Sequence, residues 1–262
     1  MHNFCNFSTT STPSSKQHFA YPAGYIARVE AKISQINAVI LNSNICAIML
    51  NIDDAEKLLE IGLESSYFGS SKLVITTSTI DDHLLPTYYL EKELEIITAF
   101  KPNFHIPRDK PVYLSQNKKE RLWNIRMQVD DTLEMRDLLK GTSIDLIPLL
   151  KGVDQEELNA SYFPLKNEGF ITFSYYVAQY FGNGRGNLST NLITDVKLIS
   201  LLPSIEYVML IGVQSQNILR KLPPVIRAYA GLRFIRENCW NQNKIKGSDQ
   251  SDLFQFSNSG GK

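Results

Sequence analysis

Three residue types that carry acid, base and anion-binding chemistry fall within five positions of the stretch NFHIPRDKPVY, residues 103–113. His105, Arg108 and Asp109 stand in or directly after a short apolar segment with the composition of a buried strand. Asp109 could accept hydrogen bonds from the N–H groups of a ligand or act as a base, and Arg108 could contact a phosphate. The alternative for Asp109 is a carboxylate that turns the chain and pairs with Arg108 or Lys110.

Two adjacent carboxylates follow the preceding apolar segment. Asp81 and Asp82, with His83 beside them, offer an acid and a base together, as general acid–base catalysis requires. Adjacent aspartates are also common N-caps, here for a helix that we expect to begin near Leu84 or Tyr88. Both roles stay open, and capping is expected for at least one of the two aspartates.

Three further segments carry groups suited to anions. Lys151-Gly152 places a cation where it could contact a phosphate or a carbonyl oxygen. GNGRG, residues 182–186, could bring backbone amides and Arg185 to a phosphate, although it lacks GxGxxG spacing and a plain turn is the alternative. The segment from Gln214 to Asn217 could also hold a phosphate.

Apolar strands and amphipathic helices alternate along the chain. Continuous apolar or β-branched runs predict six strands, at residues 44–51, 72–80, 104–106, 144–152, 169–175 and 206–213. Apolar residues spaced by three or four predict helices at residues 24–40, 53–62, 88–100, 117–140, 154–160 and 189–202. Because side chains alternate along a strand, His105 is expected to face a pocket if Asp109 does, with a hydrogen-bonded core histidine as the alternative.

This order of elements predicts an α/β fold. Strands that are apolar on both faces and alternate with helices form an open doubly wound sheet or a (β/α) barrel. We expect a TIM-like barrel that is incomplete or irregular, because six strands are fewer than the eight of a closed barrel. In either architecture ligands bind at the carboxyl ends of the strands, and that end is where Asp81, Asp109 and Lys151 fall.

Composition limits the partners and the location. The chain of 262 residues is 43% hydrophobic, which suits a barrel domain at residues 21–240 between flexible tails at residues 1–20 and 241–262. No stretch has the apolar length of a signal peptide or a membrane span, so we expect a cytoplasmic protein without a membrane partner. Three scattered cysteines lack zinc-site spacing, so neither a metal nor a cofactor is expected.

Charge gives a weak argument about nucleic acid. Lys and Arg total 27, as do Asp and Glu, so binding to a polyanion needs a local basic face. Two basic groups could form a phosphate track if both lie at the pocket rim, and otherwise they are solvated helix faces. They are Lys118, Lys119, Arg121 and Arg126, and Arg220, Lys221, Arg227, Arg233 and Arg236.

Three stretches of the chain carry a family resemblance through their shared order. LPSIEYVMLIGVQSQNILRKLPPVIRAYAG, residues 202–231, has a Leu-Pro pair, an apolar strand, a turn and a leucine-rich helix, and it resembles the segment with an MGVG-type turn in the tRNA-guanine transglycosylase superfamily. YLEKELEIITAFKPNFHIPRD, residues 89–109, resembles a helix-strand unit ending in a base-reading aspartate, and IDLIPLLKG, residues 144–152, resembles a strand ending in Gln-Gly. The resemblance covers roughly residues 88–231 and implies a barrel that binds a guanine-like base.

The resemblance implies roles position by position. Asp109 matches the base-reading aspartate, Lys151 stands where the family has glutamine, and Gly182 and Gly184 occupy the base-contacting turn. The segment carrying the catalytic acid aligns with ITTSTIDD, residues 75–82, where Asp81 or Asp82 would substitute. Arg108, Arg185 and Gln214 would contact phosphate or nucleic acid.

The chain departs from the family's pattern in two places, and in this it resembles a divergent branch of the superfamily that inserts deazaguanine bases into DNA. The strand that carries the family's nucleophilic aspartate aligns with YAGLRFIREN, residues 229–238, which has none, and the zinc cluster is missing. The resemblance implies a pentosyltransferase that exchanges guanine for a 7-deazaguanine base in nucleic acid, DNA rather than tRNA, with or without a partner subunit. The alternative is a catalytically silent barrel acting as a nucleic-acid-binding or base-binding partner subunit.

Overall fold

The computed structural model describes residues 21–181, 188–213 and 215–240. The predicted tails, residues 1–20 and 241–262, lie outside these ranges. So do four predicted site residues, namely Gly182, Gly184, Arg185 and Gln214.

Strands and helices alternate through the first half of the described chain. The elements are β1 (Gly24–Val29), α1 (Ile33–Ile40), β2 (Ala47–Asn51), α2 (Ile52–Glu60), β3 (Leu73–Thr77), α3 (Leu90–Phe100), β4 (Phe104–Ile106) and α4 (Lys118–Leu138). Asn117 caps α4 by accepting a hydrogen bond from the Glu120 amide at 3.0 Å. The predicted strands and helices from residue 44 to residue 140 are therefore confirmed to within a few residues.

The second half continues the alternation with shorter elements. They are β5 (Asp145–Leu146), β6 (Leu149–Leu150), α5 (Gln155–Asn167), β7 (Thr172–Tyr176), α6 (Ser189–Ser200), β8 (Tyr207–Ile211), α7 (Gln216–Leu219), β9 (Ile226–Gly231) and α8 (Arg233–Ile235). None of the described helices combines the length and the apolar character that crossing a bilayer requires.

The nine strands form one curled sheet in the order β5-β4-β3-β2-β1-β9-β8-β7-β6. Every strand pair is parallel. Only Ile147 and Pro148 separate β5 from β6, at the two ends of this order; the Ile147 amide donates to His105 O at 2.9 Å and Pro148 O accepts from the Ser174 amide at 2.8 Å. β5 and β6 thus form one interrupted strand that pairs with β4 through its first part and with β7 through its second. The predicted irregular (β/α) barrel is confirmed.

The N-terminal strand β1 was mistaken for a helix. A helix was predicted over residues 24–40, whereas Gly24–Val29 pairs with both β2 and β9 and the helix begins only at Ile33. Ile26 faces the inside of the curled sheet while Ala27 and Val29 pack against the helices. Because both faces of β1 are buried, its apolar residues show no alternation and match helical spacing by chance.

The core has an inner and an outer layer. Inside the curl, inward side chains from successive strands fill the barrel, among them Ile26, Met49, Ile75, Phe104, Leu149 and Met209. Two outer clusters fill the space between the sheet and the helices. This layering decides which side chains can reach the carboxyl ends of the strands from within, because inward and outward residues alternate along each strand.

Candidate functional site at the carboxyl ends of the strands

The last inward-facing positions of several strands carry polar side chains. Inward positions repeat every second residue, so Arg28 follows Ile26 and Lys151 follows Leu149 in the same direction. We call this set the mouth. Its strand residues are Arg28, Asn51, Thr77 and Tyr176; Lys151 directly follows β6, and Asp109 joins them from the loop after β4.

Asp109 and Lys151, both predicted as site residues, meet at the mouth. Lys151 Nζ lies 2.5 Å from Asp109 Oδ1, and the two side chains are only 16% and 12% exposed. Among the described residues Oδ1 has no donor with hydrogen-bond geometry, so the contact is an ion pair alone. Burial raises the pKa of Asp109, Lys151 opposes that rise, and the charge of Asp82 adds to it.

Arg28 is a mouth residue that was missed in the sequence. Its Nη2 donates to Asn51 Oδ1 at 2.6 Å and to Thr79 O at 3.3 Å. No carboxylate of the described residues forms an ion pair with Arg28, so its positive charge is available to an anionic or carbonyl-bearing ligand. Strand alternation would have identified Arg28 if β1 had been recognised.

Tyr176 places a phenol near the charges of Arg28 and Asp109 at the mouth. Burial raises its pKa, the guanidinium of Arg28 opposes that rise, and the carboxylates of Asp109 and Asp81 add to it. The hydroxyl therefore stays protonated at neutral pH, and the aromatic face offers a stacking surface for a planar base. Tyr176 packs against the inner core, whereas its neighbour Tyr175 belongs to an outer cluster.

Asp81 and Asp82 lie exposed on the loop after β3. The Asp82 carboxylate accepts a hydrogen bond from the Tyr113 hydroxyl. Neither aspartate caps a helix, because α3 begins after Tyr89 without a side-chain cap, so the expected capping role is wrong. Burial, followed by the contact with Asp82, raises the pKa of Tyr113.

The Arg108 side chain runs between two helices. Its Nε donates to Asp131 Oδ2 of α4 at 2.9 Å, and its Nη1 donates to the backbone oxygen of Tyr88. The residue has a φ of 43°, in the left-handed region. These contacts engage two of its guanidinium nitrogens, so its predicted phosphate contact stays a prediction without geometric support.

His105 faces the helices, so the expectation that it shares the pocket of Asp109 is wrong. Its neighbours in β4, Phe104 and Ile106, occupy the inner core, while His105 Nδ1 lies 2.8 Å from Thr76 Oγ1 on the outer face. Strand alternation ends at Ile106, and the left-handed Arg108 returns Asp109 to the inner side. The alternative of a hydrogen-bonded core histidine is confirmed.

Glu93 of α3 connects the ends of β3 and β4 on the outer face of the sheet. One of its oxygens, Oε1, lies 2.6 Å from His105 Nε2, accepts from the Arg108 amide at 3.1 Å, and accepts from the Ser78 hydroxyl. Both Glu93 and His105 are 0% exposed. Glu93 therefore fixes the ends of β3 and β4 and the loop that presents Asp109.

Gly152 allows the backbone after Lys151 to approach α5. Its φ is 146°, and an added Cβ would lie 2.5 Å from the Leu158 amide nitrogen and 2.8 Å from the Glu157 carbonyl carbon. Gly152→Ala is expected to destabilise the protein by about 3 kcal/mol through strain and overpacking. Gly141→Ala is the control: Gly141 also has a positive φ, 92°, but nothing lies within 4 Å of an added Cβ, and a loss of about 1 kcal/mol is expected.

Urea unfolding of the two glycine variants tests this expectation. Equal losses of unfolding free energy in both would show that backbone conformation alone matters and that α5 does not pack tightly behind Lys151.

The predicted basic groups are partly neutralised. Lys118 pairs with Asp154 and Glu156, Arg121 pairs with the buried Glu157, and Arg233 pairs with Glu237. Arg227 lies near the start of β9, at the end of the barrel opposite the mouth. The two groups therefore do not form one continuous basic rim.

Taken together, fold and site define a (β/α) barrel protein with a buried acid–cation pair and a second cation at its mouth. Among the described residues no cluster of three or more His, Cys, Asp or Glu side chains is arranged to hold a metal ion. No protein-family model matches the chain, and no curated protein matches its sequence.

Proposed function

We propose that the protein binds a guanine-like base at the mouth and exchanges it for a 7-deazaguanine base in nucleic acid, with DNA as the favoured substrate. The observation that carries the proposal is the buried Asp109 carboxylate beside Lys151, at the carboxyl end of β4. A guanine-type base presents adjacent N–H donors beside a carbonyl oxygen. A carboxylate next to an ammonium group matches that donor–acceptor pattern, and burial strengthens both contacts.

The arrangement of the motifs along the barrel supports this assignment. The segments that resemble the transglycosylase superfamily end at Asp109 after β4 and at Lys151 after β6, and the MGVG-type turn follows β8. All of them are carboxyl ends of parallel strands, which face one side of the barrel. This shared side supports a single ligand site for residues that are far apart in sequence.

Arg28 and Tyr176 extend the site toward the rest of the substrate. The guanidinium suits a phosphate oxygen or a second carbonyl, and the phenol ring suits stacking on a base. Base exchange also needs a group that attacks or stabilises the anomeric carbon and an acid that assists the leaving base. Asp81 and Asp82 are the proposed groups, and Tyr113 orients Asp82.

A second candidate function is base or nucleic-acid binding without catalysis, as a partner subunit. It is favoured by the carboxyl end of β9, where Gly231 is followed by Leu232 and Arg233, so the described residues directly after this strand include no carboxylate. That is the strand whose counterpart carries the nucleophile in the resembling superfamily. The exposure of Asp81 and Asp82 points the same way.

Incorporation of labelled guanine and 7-deazaguanine bases into DNA and into tRNA tests the first function. We expect incorporation with wild-type protein, and at least a ~100-fold loss in Asp109→Asn because the substituted amide presents a donor to the N–H groups of the base. Asp137→Asn serves as the control, since Asp137 lies exposed on α4 and pairs with Lys140 at 3.0 Å.

The outcomes separate the two functions. Base binding that Asp109→Asn abolishes, without incorporation into either nucleic acid, would favour the silent barrel. Unchanged exchange or unchanged binding in Asp109→Asn would remove Asp109 from the site and overturn both proposals.

A further inference from the structure

A second cavity lies beside the mouth, between the loop after β4 and helix α6. Its volume is about 440 Å³, within the range of sites that take small organic ligands. Four parts of the chain supply the walls: the loop around Tyr113, the segment after β6 at Gly152, β7 with the segment after it, and the stripe of α6 that carries Asn191 and Asp195. Neither Asp109 nor Lys151 lines it. It adjoins the base site, because Gly152 and Tyr175 also line the small cavity that contains Lys151 and Tyr176.

A chain of three hydrogen-bonded side chains forms one wall of this cavity. Tyr175 of β7 and Tyr180 place their hydroxyl oxygens 3.0 Å apart, and the Tyr180 hydroxyl donates to Asp195 Oδ2. An ionised carboxylate can only accept, so Tyr180 must donate to Asp195 and Tyr175 must donate to Tyr180. Both phenolic protons are thereby used within the wall.

The wall therefore presents acceptors to a ligand. Asp195 Oδ1 receives no hydrogen bond from the described residues, and Asp195 has no Lys or Arg partner among them, although it is only partly exposed. The side-chain amides of Gln179 and Asn191 can serve in either role. Hydrophobic and aromatic surfaces, from Val112, Leu114, Val153 and Leu188 and from the tyrosines, complete the lining.

We propose that this cavity binds an organic ammonium group carried on an apolar or aromatic body. A protonated amine supplies the hydrogen-bond donors that the wall lacks and neutralises the Asp195 carboxylate. The tyrosine rings add cation–π attraction. A phosphate or carboxylate group would instead face the Asp195 carboxylate, which pairs with no Lys or Arg of the described residues, so a nucleic-acid backbone is not the expected ligand.

Binding of three matched probes to the full chain tests the proposal by calorimetry and by ligand-observed NMR. The probes are 2-phenylethylamine, the neutral 2-phenylethanol and the anionic phenylacetate. We expect the amine to bind at least about 10-fold more tightly than the alcohol, since a charge-assisted hydrogen bond is stronger than a neutral one. No binding of phenylacetate is expected.

Two substitutions localise the amine to this cavity. Asp195→Asn is expected to reduce the preference for the amine over the alcohol to about 2-fold or less, because the carboxylate charge is removed. Asn191→Arg, at an exposed position one turn before Asp195 on α6, is expected to block the amine by pairing with Asp195. It keeps the proposal testable if Asp195→Asn does not fold.

The test also separates this cavity from the base site. Asp109→Asn should leave amine binding unchanged while it affects base binding. Equal affinities for amine and alcohol, an amine affinity untouched by both α6 substitutions, or a loss of amine binding in Asp109→Asn would each overturn the proposal.

Discussion

Replacing Lys151 by methionine is expected to lower the free energy of unfolding by about 3–5 kcal/mol at neutral pH, because it leaves a buried carboxylate without its counter-ion. Among the described residues Lys151 is the one cation that pairs with Asp109, at 2.5 Å, and Asp109 Oδ1 has no hydrogen-bond donor among them to replace it. Methionine keeps much of the length and apolar volume of the lysine stem, so the change removes charge more than packing.

The expected loss depends on pH in a defined direction. The pKa of Asp109 is raised in the folded protein, so its contribution to stability is highest below its unfolded pKa and declines as pH rises through the folded value. Without Lys151 that pKa rises further, so the penalty of Lys151→Met is greatest when Asp109 is ionised. The difference in stability between variant and wild type should shrink as the pH falls.

A double substitution isolates the buried charge as the cause. Lys151→Met combined with Asp109→Asn should recover most of the lost stability, because no charge then remains buried. Lys140→Met is the control, since Lys140 is exposed and pairs with Asp137 at the surface, where about 0–1 kcal/mol is expected. Urea unfolding from pH 5 to pH 8 measures all four proteins. Equal losses in Lys151→Met and Lys140→Met would contradict a desolvated pair.

The strand-end rule made part of the mouth predictable. Asp109 and Lys151 were singled out because each follows an apolar run, and parallel strands place such residues on one face. Their direct contact needed the curl of the sheet, which joins β4 to β7 through the interrupted strand β5–β6. Within IDLIPLLKG only Pro148 indicates the break between β5 and β6, because proline has no amide proton for a hydrogen bond to the neighbouring strand.

Two local features prevented the rest of the mouth from being predicted from the sequence. Arg28 and Asn51 lie at inward positions. Because β1 is buried on both faces, its sequence does not alternate between apolar and polar residues, so β1 was not recognised as a strand and Arg28 was not assigned to the mouth. His105 was assigned to the wrong face because alternation was extended past Ile106 to Asp109. The left-handed backbone of Arg108, a conformation uncommon for residues other than glycine, resets the direction of the chain.

Glu93 is the residue whose replacement should most disturb the region behind the mouth. Glu93→Leu is expected to destabilise the protein by about 3–5 kcal/mol, because buried donors of His105, Ser78 and the Arg108 amide lose their common acceptor. The two ring nitrogens of His105 have separate partners, Glu93 Oε1 at Nε2 and the Thr76 hydroxyl at Nδ1. Loss of Glu93 thus removes one hydrogen bond from the His105 ring and one from the loop after β4.

Glu95→Leu on the same helix is the matched control. Glu95 is exposed, so the same change of side chain should alter stability by less than about 0.5 kcal/mol. Differential scanning calorimetry measures both variants, and base binding at a temperature where each is folded measures the loop. Because Glu93 holds the Arg108 amide one residue before Asp109, we expect weaker base binding in Glu93→Leu than in Glu95→Leu even when both are folded. A stability loss with undiminished base binding would show that Glu93 braces the helix against the sheet without positioning Asp109.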